Sequence, residues 1–306
     1  METESISRVQ SSNPLTGLGL GSAAIFLIIV WGTAFNMVDV GVRYLTPAWL
    51  VALRLIFAAI LMVTYAVFAG HKLPPIRDKR WIWYIVLGFI GMALPFYLIS
   101  WAQVNIESGT SAILVGVMPL MTIFLAHYLT TEKLSVRKVS GFLIGLIGTT
   151  VLFLPEDLSF GLIERWEAQI IALVAAFCYA LTTVGAKRAP ETHAAVGAAI
   201  MTIGAAAIAT IFAISVDPIP VDVPAIAWWM IAGLAIGSTG VATIVYLQVI
   251  ERNGPTTLAR INYFPPFVSV LVGIWWLKEP FTPRIAIAFA LIMLGVWVAR
   301  NKRNPV

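Results

Sequence analysis

The chain alternates long apolar runs with short polar breaks. Ten runs, at residues 18–39, 47–69, 81–103, 109–130, 138–154, 167–187, 193–215, 224–250, 256–276 and 284–300, approach or meet the roughly 20 apolar residues a helix needs to cross a bilayer core. The breaks carry turn and charge signals: Thr46-Pro47, Pro74-Pro75, Glu107 to Gly109, Glu132-Lys133, Ala189-Pro190, Asp217-Pro218, Asn253-Gly254-Pro255 and Glu279-Pro280. Ten helices are predicted. A polar stretch at 155–166 separates five from five, so the half-units are 17–154 and 167–301. Residues 1–16 and 302–306 read as tails, the first Ser-rich and polar. No short apolar core with a small-residue cleavage site precedes the first run, so no removable signal peptide is expected.

The halves are related. Laid over each other at a constant offset of 147 residues without a gap, Thr110, Ala112, Pro119, Glu132 and Arg137 fall on Thr257, Ala259, Pro266, Glu279 and Arg284. The register continues to Phe142 and Gly148 against Phe289 and Gly295. The unit is far longer than a solenoid repeat, and it reads as duplication of a half-protein.

Charge decides how the halves sit. Fourteen Lys and Arg residues fall on the side of the predicted membrane that holds the N-terminus, against four (Arg43, Arg165, Lys278 and Arg284) on the other. The positive-inside rule therefore puts both termini in the cytoplasm. Five helices per half is an odd number, so the second half enters the membrane inverted relative to the first, as in many secondary transporters. The expected fold is all-α: an integral membrane protein of ten transmembrane helices, built as two inverted five-helix repeats around a central cavity.

Composition agrees. The chain is 59% hydrophobic and 11% charged, with a mean hydropathy of +0.90, far from the roughly 25% charged residues of soluble domains. In such a chain the formal charge of +5 reports topology rather than an acidic partner, and no nucleic acid is expected. The single Cys178 excludes an internal disulfide. His71, His127 and His193 form no metal-binding pattern, and neither metal nor cofactor is expected.

Three sequence features then carry a family likeness: the Trp31-Gly32-Thr33-Ala34-Phe35 run, the Arg54-Leu55-Ile56-Phe57-Ala58-Ala59 run, and the twice-repeated Pro with a Glu thirteen positions on. Together they resemble the drug/metabolite transporter superfamily in its ten-helix EamA-type branch, and within it the bacterial exporters of aromatic amino acids and methyl viologen. The resemblance implies a helical basket around a substrate cavity, no enzymatic activity, and export across a bacterial inner membrane. It leaves the substrate at "small polar metabolite", with purines and sugar-linked or phosphorylated compounds as alternatives to amino acids. An intramembrane enzyme is the remote reading, and the chain shows no H-E-x-x-H or G-x-S-x-G motif for it.

Candidate residues follow from depth. Trp31, Tyr97, Tyr179, Tyr246 and Tyr263 are expected to line an apolar cavity, with Asn36 and Thr183 as polar handles. Trp101 is open between lining and the interfacial aromatic belt. Arg260, whose repeat counterpart is Ile113, could hold a substrate carboxylate or could snorkel to the interface. Arg54 is expected to pair with a helix end or with Asp39. No Asp or Glu stands mid-span, so an embedded proton-carrying carboxylate is not expected. Pro119 and Pro266, matched by the repeat, should bend helices 4 and 9 and serve alternating access. Gly141, Gly145 and Gly148 should pack helix 5 against helix 10. Partners are then a small-molecule substrate and the lipid bilayer. A monomer is expected, with dimerisation through helix 5 the lesser reading.

Overall fold

The computed structural model describes residues 18–129, 135–153, 165–186, 188–253, 258 and 261–299; Arg260, Glu132 and most of the predicted linker lie outside them. Ten main helices follow in order among the described residues: α1 Leu18–Val42, α2 Pro47–Phe68, α3 Lys79–Ala102, α4 Ser108–Leu129, α5 Val136–Phe153, α6 Trp166–Ala186, α7 Ala194–Val216, α8 Ala225–Val249, α9 Pro265–Leu277 and α10 Pro283–Ala299. No described residue is in a strand. Helices α1 to α4 and α6 to α8 are each long and apolar enough to cross a membrane, and α9 and α10 are shorter apolar helices.

Local chemistry starts and interrupts these helices. Thr46 caps α2, its side chain accepting from Trp49 N, with Pro47 in the first turn, where its missing N–H costs nothing. Asp78 caps α3 through Arg80 N at 2.9 Å. Inside α3 the backbone widens into a π-turn at Phe89–Ala93, just before Pro95, whose ring and absent N–H disturb the preceding turn. Helix α8, the counterpart of α3 in the other half, carries its own π-turn at Gly233–Val241.

The repeat governs the packing. Helix α5 lies against α10, and α2 against α7. Other contacts come in exchanged pairs, α1 with α9 and α6 with α4, and α3 with α7 and α8 with α2. The α5–α10 seam shows the two-fold relation at single residues. A Cβ on Gly141 would stand 2.4 Å from the carbonyl oxygen of Gly295, and one on Gly295 would stand 2.5 Å from that of Gly141. The repeat exchanges this contact into Gly148 against Ala288, and a Cβ on Gly148 would stand 2.9 Å from the Ala288 carbonyl. The small residues therefore seal an intramolecular seam, as their spacing predicts.

Helix α4 is not continuous. Its first part ends at Val115, Gly116 and Val117 form a turn, and the second part starts at Met118. At the matched place Asn262 and Tyr263 form a turn just before α9 starts at Pro265. Pro119 offers no N–H to the Val115 carbonyl four residues back, nor Pro266 to that of Asn262, so neither helix can propagate there. Each proline thus stands just past a turn in the backbone.

Candidate functional site

Both interruptions open onto one cavity of about 210 Å3. Helix α1 contributes Trp31, Phe35 and Val38, α4 contributes Ala112, Val115, Gly116, Met118 and Pro119 across its break, and Asn262, Pro265 and Pro266 come from the turn before α9 and its first residues. Opposite stand Gly91, Met92, Phe96 and Ile99 of α3 around its π-turn, and Ser238, Thr243 and Tyr246 of α8. Helix α6 adds Tyr179, Thr182 and Thr183, while α2 and α7 each add one residue, Arg54 and Met201. Neither α5 nor α10 reaches it. Their seam is scaffold.

The wall is aromatic with few polar points. Trp31 and Tyr246 meet edge to face with centroids 6.1 Å apart, and Phe96 and Tyr179 likewise at 6.5 Å, the geometry that aromatic quadrupoles favour. Thr182 and Thr183 donate to carbonyls one turn back, Cys178 O at 2.9 Å and Tyr179 O at 2.8 Å. Thr183 is thereby left with acceptor capacity toward the cavity. No Asp or Glu lines the cavity among the described residues.

Arg54 is the charged member. It is buried, and its Nε donates to Thr239 Oγ1 at 2.7 Å and Nη2 to Ser238 Oγ at 3.1 Å. Its Cζ lies 3.7 Å from the centroid of the Phe96 ring, close enough for a cation–π contact. The expected partnership with Asp39 does not form, because Asp39 bonds Arg43 one helical turn along α1. The hydroxyls that hold Arg54 belong to the α8 π-turn, and nothing in the local sequence announces that a π-turn will present them.

The other expected residues divide. Trp31, Tyr179, Thr183, Tyr246, Pro119 and Pro266 stand around the cavity. Asn36 does not: it is fully buried between α1, α4 and α9, donating to Ser108 Oγ at 2.8 Å and Ser269 O at 3.1 Å. Tyr97 turns to α7, packing edge to face on Phe212 at 5.0 Å. Trp101 and Tyr263 pack against the apolar cluster shared by α4, α6 and α10. Arg260 lies outside the described residues. Sequence depth alone cannot distinguish these cases, since a helix at one depth has faces toward cavity, neighbour and lipid alike. Phe96, Thr182, Ser238 and Asn262 are site residues that the sequence reading does not single out.

Comparison with known proteins extends this picture. A family model described as the EamA-like transporter family matches residues 19–154 and again 166–300. The "Uncharacterized inner membrane transporter YedA" of Escherichia coli (strain K12) is 26% identical, over 84% of this chain and 82% of that protein. The "Probable terminal-alkyne amino-acid exporter" of Streptantibioticus cattleyicolor is 23% identical, over 92% of this chain and 93% of its own length. A solved crystal structure at 22% identity shares the fold with a TM-score of 0.67, covering 92% of this chain and 96% of that one.

Proposed function

The chain belongs to the EamA-like transporter family, and on that premise we propose that it exports amino acids, aromatic ones favoured, by alternating access. It is a membrane transporter and not an enzyme. The observation that carries the substrate reading is the cavity itself: an aromatic wall of Trp31, Phe96, Tyr179 and Tyr246 with isolated polar points, set where two matched helix breaks meet. Such a wall suits a small solute with a flat apolar part. The likeness to bacterial exporters of aromatic amino acids supports the same reading, as does a relative described as a probable amino-acid exporter.

The breaks supply the movement. With no helical hydrogen bond from Pro119 or Pro266, the two parts of α4, and α9 against the chain that leads into it, can reorient around the cavity. The 14-to-4 bias of basic residues supports cytoplasmic termini in a bacterial inner membrane. With no carboxylate among the described cavity residues, export runs down the substrate gradient without an embedded proton carrier.

Purified protein in liposomes without a pH gradient tests this. Uptake of tryptophan, phenylalanine or tyrosine, competed by the other two, is expected. Strict dependence on an imposed gradient would remove the facilitated mode, and no uptake of any amino acid would remove the substrate reading.

A further inference from the structure

We propose that Arg54 is the anion-binding residue of the cavity, and that the transported solute therefore carries a single carboxylate. The proposal rests on the transport reading above but assigns a role and a ligand chemistry that the reading leaves open.

A guanidinium carries five N–H donors in a planar fork and is charged at every accessible pH. Among the described residues Arg54 spends two of them, Nε on Thr239 and one Nη2 hydrogen on Ser238. Both acceptors are neutral. Ser238 passes its own proton on to Leu234 O at 3.1 Å, so it serves Arg54 purely as an acceptor. The Phe96 face beneath the Cζ stabilises the cation and fixes the plane of the fork. None of the three cancels the charge.

A buried, unneutralised cation is costly, and proteins normally pair it. Arg54 makes no ion pair among the described residues, and Asp39, the carboxylate that sequence suggests for it, is bonded to Arg43. Both Nη1 hydrogens and the second Nη2 hydrogen have no protein acceptor among the described residues, and Arg54 lines the cavity. One Nη1 hydrogen and that Nη2 hydrogen form the terminal edge of the fork, an edge that takes a carboxylate with two parallel hydrogen bonds. Thr239, Ser238 and Phe96 thus orient the fork, and the solute supplies the missing charge.

Charge count selects the class. One described cavity cation matches one negative charge. A phosphate dianion would need a second cation, which the described lining does not offer. An organic cation would be repelled. A monocarboxylate whose apolar part faces Trp31 and Tyr179 satisfies both halves of the cavity.

The test compares four indole compounds and an aliphatic set. L-Tryptophan, indole-3-propionate, tryptamine and indole, with a panel of aliphatic amino and keto acids, are offered to wild type, Arg54→Lys and Arg54→Gln. Binding is read as thermal shift in detergent and transport as uptake in proteoliposomes. Wild type is expected to recognise tryptophan and indole-3-propionate but not tryptamine. Both variants should lose about tenfold or more in affinity for every carboxylate, since a lysine or an amide cannot replace the charged fork. Weak binding of neutral indole should stay unchanged, which a general collapse of the site would not allow.

Wild type that takes tryptamine as well as tryptophan, or folded variants that keep wild-type affinity for carboxylates, overturns the proposal. If Arg54→Gln does not fold, Arg54→Lys, which keeps the charge but not the fork, decides alone. The two readings separate cleanly. Arg54-dependent uptake of carboxylates that are not amino acids, with no amino acid moved, upholds Arg54 and removes the amino-acid reading. Amino-acid uptake indifferent to Arg54 does the reverse.

Discussion

Glu279 closes the N-terminus of α4 through Ser108, a residue 171 positions away in the other half of the repeat. Ser108 N donates to its Oε1 at 2.8 Å, Gly109 N to Oε2 at 3.1 Å, and Ser108 Oγ adds a third bond to Oε1. The carboxylate reaches there because Lys278 ends α9 in the left-handed conformation, φ 59°, and turns the chain back. Gly273 makes the room, since a Cβ on it would stand 2.2 Å from Glu279 Oε2. An anion at a helix N-terminus satisfies orphan N–H groups and meets the positive end of the helix dipole. Asn36 extends the tie to α1, so one cluster joins α1, the start of α4 and α9.

Glu279→Ala should therefore destabilise the folded protein by about 1–3 kcal/mol, the range for losing a cap and a charge-assisted hydrogen bond. A lowered melting temperature in detergent is the readout. An unchanged melting temperature would show that water replaces the carboxylate at no cost.

The same residue should leave a mark on pH dependence. Burial lifts the Glu279 carboxyl above its ordinary range, the hydrogen bonds from Ser108 and Gly109 pull it part of the way back, and the nearby Asp39 pushes it up again. A carboxyl with a raised folded pKa binds its proton more tightly folded than unfolded. Stability then falls as pH rises from the ordinary carboxylate value, about 4.3, through the raised one. Melting curves of wild type and Glu279→Gln across that window should show a steeper decline in wild type. Parallel curves would mean that Glu279 contributes no linkage.

How far the sequence foretells this protein depends on what each signal encodes. Gly141, Gly148 and Gly295 are legible because close helix approach forbids a Cβ, and spacing alone places them on one face. Pro119 and Pro266 are legible because a missing N–H acts on its own helix. Arg54 and Asn36 are not, because their partners, Ser238 and Thr239 in one case and Ser108 and Ser269 in the other, come from distant helices. Only the packing of the two halves brings them together. Glu279 is half legible. The repeat marks it through Glu132, while its role as a cap on α4 appears only with the fold.

Gly141→Val should be among the most damaging single changes in the scaffold. Even its Cβ would meet the Gly295 carbonyl at 2.4 Å and the Ala299 Cβ at 2.6 Å, so α5 and α10 must separate along their seam. Overpacking of this kind costs about 1–3 kcal/mol. The exposed Leu143 and Ile147 on the same helix serve as controls, and their replacement by Val should leave the melting temperature near wild type. If all three variants melted alike, the seam would not be the close contact described.

Pro119→Ala and Pro266→Ala test the matched breaks as hinges. Alanine restores an N–H that can bond the Val115 or Asn262 carbonyl and favours a continuous helix, by about 3 kcal/mol relative to proline in a helix interior. Each variant should therefore be at least as stable as wild type yet transport more slowly, because the helix parts now move as one. Binding should change less than rate, since no cavity side chain but the proline ring is altered. Stability and initial uptake rate, measured on the same preparations, separate the two effects: a slow but stable variant supports a hinge, and unimpaired transport in a stable variant leaves both prolines as shapes of the cavity wall only.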